Sequence, residues 1–538
     1  MTEISGVWRV LKTVTIGGRR SPTDRHVFHK ISLIAFLAWV GLGADGLSSS
    51  CYGPMEAFEV LKEHMYLGVF VALAMAVTVL VISSSYSQIV ELFPSGGGGY
   101  LVASKLLSPT LGMISGCALL IDYVLTIAIS ISAGADALFS VEVFHSWVGY
   151  KLTVAIAGVL VLTVLNLRGV RESVVPLVPI FLFFVLAHAF TIVYSFVVVP
   201  EGLGELARAT ADDLSRSRSQ FGLWGMLLIM LKAYSMGAGT YTGIEAVSNG
   251  LPMLREPRVA TAKKTMRYMA FSLLFTAGGL MIAYVLHHVQ AVADPRTHEI
   301  LKTSNAVLLE SVTRSWGSGG HVFVLATLIS EAAILFVAAQ AGFLDGPRVM
   351  SNMAVDRWLP SRLALLSDRL VTAYGIVLMG GAALALVVLT RGDVGVLVVL
   401  YSINVFITFV LSQSGMVRHW WQQRGKRQGW RHGLFVNGLG LAMTGCILVT
   451  MVFLKFNEGG WVTMLVTGAL VVVALAIRRH YRHTHGLLKR LDALVDVAKM
   501  DRGAAPPARP GLAPGGKTAV ILVNGFNGLG LHSLFAVT

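Results

Sequence analysis

Three carboxylic acids, Asp45, Asp122 and Glu245, stand inside long apolar stretches of this chain. On translocon scales a carboxylate facing lipid costs roughly 2.5 to 3.5 kcal/mol, so the three are expected to face one another or a wet cavity. Neutral oxygens accompany them. Tyr52 follows Asp45, Thr126 and Ser130 follow Asp122 at steps of four, Thr242 precedes Glu245, and Tyr401 lies far along the chain. Steps of four place Asp122, Thr126 and Ser130 on one helical face. Hydroxyls bonding back to their own helix would explain the Ser and Thr, but not the acid. Carboxylate, hydroxyl and carbonyl oxygens are hard ligands, suited to alkali or alkaline-earth cations rather than soft transition metals.

Two of the acids lie in stretches that propose a helix and then break it. Residues 41–55, GLGADGLSSSCYGPM, put four glycines and a proline inside an apolar run, and residues 234–245, YSMGAGTYTGIE, repeat the pattern. A bilayer tolerates irregular backbone only where protein or water surrounds it. Unwound segments also offer carbonyls to a cation. An amino-acid substrate would instead need exposed amides for its carboxylate, and acids beside those amides would repel it. A buried carboxylate is in addition a proton site, and Glu245 is the candidate for a coupling proton. Its plainer reading is a structural acid that caps the inner half of the sixth helix or pairs with Lys232. For Glu331, Asp136 and Lys232 a structural ion pair or cap is the favoured reading.

The elements that position these groups follow from composition. The chain has 538 residues, 55% hydrophobic and 13% charged, with mean hydropathy +0.69, which describes an integral membrane protein. A span needs roughly 20 apolar residues, and twelve candidates begin near residues 31, 66, 108, 152, 174, 222, 268, 321, 371, 395, 433 and 461. The net charge of +14 is distributed in short basic segments between spans, which is membrane topology rather than nucleic-acid binding. Arg9 to Lys30 precede span 1, and clusters after spans 4, 6, 8, 10 and 12 include Arg168, Arg255, Arg348, Arg418 and Arg478. With alternating spans all fall on one side, which puts both termini in the cytoplasm of a cell-membrane protein. No cleavable leader is evident, so span 1 is expected to be retained. Cys51, Cys117 and Cys446 have neither disulfide nor zinc spacing.

The fold expected is all-α, with about twelve membrane helices. The broken spans are the first and sixth, five apart as a five-plus-five inverted repeat places them, with the breaks facing each other. Residues 1–30 form a basic cytoplasmic arm, 31–480 the transporter domain, 481–516 a cytoplasmic helix and linker, and 517–538 the start of a small α/β domain that reads as truncated. The glycine run 96–99 reads as a tight turn, since the Lys-Ser/Thr ending of a phosphate loop is missing. Residues 201–220 form an outer, partly helical loop, and 345–369 a long cytoplasmic connection with a turn at Asp356-Arg357-Trp358.

Taken together, residues 45–53, 96–100, 122–136, 166–173, 242–249 and 411–416 (LSQSGM) resemble the KUP-type potassium importers of the amino acid-polyamine-organocation superfamily, and most of all the KimA branch. The resemblance implies a LeuT-like fold and inward K+/H+ symport, with K+ and H+ as substrates and no cofactor. It implies potassium ligands at Asp45, Tyr52, Asp122, Thr126, Ser130, Thr242 and Tyr401, and a proton-linked acid at Glu245. It further implies a cytoplasmic domain resembling universal stress proteins, which mediates homodimerisation and in some members accompanies inhibition by cyclic di-AMP. Only the first strand and turn of that domain are present here, so those two properties depend on a complete domain. Glu331 departs from the branch. A proton-coupled amino-acid or polyamine permease on the same fold is the alternative, a channel would need a filter-like repeat, and no nucleophile-base pair indicates an enzyme.

Overall fold

A computed structural model describes residues 33–168, 174–198, 202–293 and 300–489. The basic arm, the loop carrying Arg171, the linker after the last helix and the expected α/β segment lie outside them. Among the described residues, ten helices are long and apolar enough to cross a membrane. The shorter helix Ala373–Leu389 and the broken pair Ala35–Ser48 and Gly53–Leu61 bring the crossings to twelve. A span satisfies its own backbone polar groups only as a helix, and the side chains of these helices leave lipid-facing apolar surface, with Leu73, Leu186, Phe271 and Phe453 all well exposed.

The spans are numbered in chain order. Span 1 is Ala35–Ser48 (1a) and Gly53–Leu61 (1b), span 2 Gly68–Leu92, span 3 Pro109–Phe139, span 4 Lys151–Leu167 and span 5 Val174–Val197. Span 6 belongs to the helix Gly202–Met236, which turns at Gly222 (φ 70°), and resumes as the short 6b, Ala246–Asn249. Span 7 is Arg258–Leu286, span 8 Ser318–Val355, span 9 Ala373–Leu389, span 10 Val394–Gln422, span 11 Trp430–Leu454 and span 12 Trp461–Lys489. Spans 1 and 6, 2 and 7, 3 and 8, and 4 and 9 each pack together. Every one of these pairs is five apart, as a five-plus-five repeat demands. Span 3 is the axis, with 83% of its apolar window buried against 17% for span 4.

Twelve crossings put the starts of span 1 and the ends of the even-numbered spans on one face, called here the lower face. Contacts agree with this. Arg369 donates to Arg168 O at 2.6 Å, Arg418 donates to Leu107 O at 2.9 Å, and Arg478 donates to Asp356 O. On the same face Leu33 N donates to Met253 O and Arg255 N to Leu33 O, both at 2.9 Å, a backbone bridge between the foot of span 1 and the chain just beyond 6b.

Three boundaries differ from expectation. The break in span 1 is short, only Ser49–Cys51 and Tyr52, because glycines at positions 41, 43 and 46 continue the helix through Asp45. Span 7 begins about ten residues early: Lys263, Lys264 and Arg267 read as loop by charge, yet they ride on the first turns of the helix. Span 8 continues to Val355, so Asp345 lies on a helix and not in the cytoplasmic connection. The glycine run is a turn as expected, with Gly96, Gly97 and Gly98 all at positive φ. Residues 202–221 form a complete outer helix, and between spans 7 and 8 stand a small hairpin, Val292–Ala293 with Ile300–Lys302, and a helix, Ser304–Val312.

Candidate ion-binding site

The two breaks meet. Gly243 has φ +81°, and a Cβ there would stand 2.5 Å from Gly46 N and 2.9 Å from the Asp45 carbonyl carbon. A Cβ on Gly53 would collide with Thr240, 2.9 Å from its backbone nitrogen. Only glycine lets the two unwound backbones approach this closely. Helix 1a ends on three serines whose hydroxyls donate to the carbonyls three residues back: Ser48 to Asp45 at 2.8 Å, Ser49 to Gly46 at 2.5 Å and Ser50 to Leu47 at 2.6 Å. The last carbonyls of a helix lack their full set of backbone donors, and inside the membrane they need others. The serines therefore occupy part of the carbonyl supply that the break offers.

Around this junction the structure gathers the sequence-predicted acids. Asp122 on span 3 (1% exposed) is close enough to Glu245 and Asp45 to repel both. Glu245 (6% exposed) stands at the start of 6b without forming a side-chain capping bond, and Asp45 is half-buried at the end of 1a. Asp122 Oδ1 and Glu245 Oε2 are buried with no hydrogen-bond partner among the described residues. No ion pair among the described residues joins any of the three acids to a basic side chain, Lys232 included. Several carboxylates without a counter-charge in a low-dielectric interior are unfavourable. An incoming positive charge would relieve this.

The neutral oxygens are placed as follows. Tyr52 sits in the break of span 1, 5% exposed, its hydroxyl toward Thr242 and its ring against Gly239, where an added Cβ would be 2.8 Å away. Tyr401 on span 10, 3% exposed, lies within electrostatic reach of Asp122, Tyr52, Asp45 and Glu245. Thr126 and Ser130 are buried on the face of Asp122. Ala133 and Ala137, three and seven residues beyond Ser130, line a small cavity with Cys51 and Tyr52, so this face of span 3 meets the break in span 1. Thr126 donates its proton to Asp122 O at 3.0 Å and Thr242 donates to Gly239 O at 2.6 Å. With their protons used on backbone carbonyls, both hydroxyls can only accept, which suits a cation.

Sequence reading missed two contributors. Asp345 on span 8 lies within electrostatic reach of Asp45 and Glu245 and is paired with Arg348 at 3.3 Å; its signal, an acid two residues before Pro347, was hidden by the loop assignment. Asn249 donates to Tyr123 OH at 2.7 Å, tying 6b to span 3. Asp345, Asn249, Tyr100 and Asn352 line a vestibule of about 530 Å³ on the lower face. Asp136 pairs with Lys151, and Glu331 accepts from His188 at 2.8 Å.

The pattern of the amino acid permease family matches residues 47–476. The potassium transporter KimA of Bacillus subtilis strain 168 is 31% identical over 458 residues, 84% of this chain and 71% of KimA. The low-affinity putrescine importer PlaP of Escherichia coli K12 is 24% identical over 413 residues, 74% of this chain and 83% of PlaP. A manganese transporter of Eremococcus coleocola aligns over 86% of this chain and 96% of its own, at 11% identity and a TM-score of 0.38. The extent of the family match and the length shared with KimA carry the assignment: this multi-pass membrane transporter belongs to the amino acid permease family of the amino acid-polyamine-organocation superfamily, on the branch that holds KimA.

Proposed function

We propose that the protein carries potassium inward together with protons, by alternating access across the cytoplasmic membrane, with the lower face and both termini in the cytoplasm. One observation supports this most directly: buried Asp122 and Glu245 lie with half-buried Asp45 and no ion pair to a basic side chain among the described residues, beside hydroxyls whose protons are already donated. Potassium would be held by Asp45, Tyr52, Asp122, Thr126, Ser130, Thr242 and Tyr401. Glu245, at the start of 6b and not capping it, would take the proton. The ions are cargo, and the reading calls on no resident cofactor. In this scheme Glu245 is protonated from outside, potassium settles at Asp45 and Asp122, and both leave through the lower vestibule as the first- and sixth-span halves rock.

The likeness to KimA supports potassium, while the likeness to PlaP supports a polyamine, whose amines would also seek acids. Uptake into liposomes carrying the purified protein separates them. Rb+ is expected to accumulate when the outside is acidic and putrescine is not, and Asp45→Asn and Asp122→Asn should each lower initial Rb+ uptake by about tenfold or more, a site contribution above roughly 1.4 kcal/mol. Glu245→Gln should retain Rb+ exchange but lose accumulation driven by the proton gradient. Putrescine accumulation without Rb+ uptake would replace potassium by the amine.

A further inference from the structure

Glu331 and His188 form a second buried titratable group above the ion site, on two spans that the transport scheme does not use. Glu331 is 1% and His188 2% exposed. His188 Nδ1 lies 2.8 Å from Phe184 O, and a carbonyl can only accept, so Nδ1 carries a proton. Nε2 then faces Glu331 Oε1 at 2.8 Å with one proton between them. Asn305 Nδ2 donates to the same carboxylate oxygen at 2.9 Å, and Asn305 Oδ1 in turn accepts from Tyr284 OH. Two donors are thus aimed at one carboxylate oxygen, a charge-assisted arrangement.

An apolar pair would fill this volume without the desolvation cost of an ion pair, and an ionisable residue inside a span marks a proton or ion pathway by default. The surroundings point the same way. Glu331 lines a small cavity, with room for about one water, together with Tyr52, Asp136 and Thr303. That cavity separates the pair from the ion site. The charged and titratable groups facing Glu331 are His188 from span 5, Tyr284 from span 7, Cys51 from the break of span 1, and the Asp136–Lys151 pair from spans 3 and 4. Asn305 reaches it from the outer helix Ser304–Val312, on which Glu310 holds Lys302 at 2.7 Å. Glu59 on 1b lies beyond Tyr284.

We propose that His188 and Glu331 are a proton-binding site on the upper side of the ion site, the station through which outer protons reach Glu245, so that the outer-pH dependence of transport runs through this pair. The proton held between Nε2 and Oε1 passes on toward the ion site, and the outer solution replaces it. This rests on the potassium reading above and adds the outer proton station to it.

The test uses the full chain in liposomes, with inner pH fixed and outer pH stepped across roughly 5 to 8. Initial Rb+ uptake is measured for wild type, Glu331→Gln and His188→Gln, and thermal stabilisation by Rb+ is measured on each protein in detergent. Both variants are expected to keep the Rb+ stabilisation and to lose the outer-pH dependence of uptake that wild type shows. Two folded variants with the wild-type pH profile would overturn the proposal. So would loss of Rb+ stabilisation along with uptake, which assigns the pair a structural role, or a wild type that binds Rb+ with no outer-pH dependence. If Glu331→Gln does not fold, His188→Gln decides alone. A wild type with no response to Rb+ in either measurement would instead remove the potassium reading.

Discussion

Single residues set how closely the two breaks meet. Gly243 occupies the left-handed region at φ +81° with Gly46 N in the way of any side chain. Gly243→Ala should cost about 1 to 3 kcal/mol from backbone strain alone and lower the melting temperature in detergent. Gly381→Ala, on span 9 with open space around it, should leave the melt unchanged or raise it. The acids were legible in the sequence because charge inside an apolar run is conspicuous. The part played by Ser48, Ser49 and Ser50 was not, since three small polar residues look the same whether they line a site or cap the carbonyls of their own helix. Asp345 was missed for a different reason: charge density near a span end resembles loop, and only packing shows that the helix continues beneath it.

Elements were read correctly where hydrophobic length decides them and less well where polar contacts do. Asn437 on span 11 donates to Gln88 Oε1 at 2.8 Å and accepts from Ser85 at 2.6 Å, while Ser85 also faces Gln413 Oε1 at 3.0 Å. The network pins spans 2, 10 and 11 together, and it explains the polar patch 83–88 and the glutamine in LSQSGM. Asn437→Leu should strand Ser85 and Gln88 and destabilise the fold by about 1 to 3 kcal/mol, read as a lower melting temperature with ion binding retained. The hairpin and outer helix between spans 7 and 8 escaped notice because short amphipathic pieces carry no membrane-length signal. Their importance emerges only from contacts such as Asn305 to Glu331.

At the scale of the molecule, the vestibule gives the structure a direction. Asn352 is exposed within it, whereas Cys51 and Cys117 are buried and Cys446 lies on the outer surface of span 11. Asn352→Cys should react with a membrane-impermeant maleimide in everted vesicles and not in intact cells; the reverse pattern would invert the proposed topology. The five-apart pairing of spans was foreseeable from the two breaks, but the bridge of Leu33 with Met253 and Arg255 was not, because main-chain contacts leave no trace in residue type. That bridge has a kinetic meaning. It joins the foot of span 1 to the chain leaving 6b, so the two half-helices that carry Asp45 and Glu245 cannot swing independently without breaking it. On the proposed symport scheme, a carrier whose two arms are clasped in this way would release both ions in one motion, and the backbone bridge itself would suppress half-open states through which one ion could slip without the other.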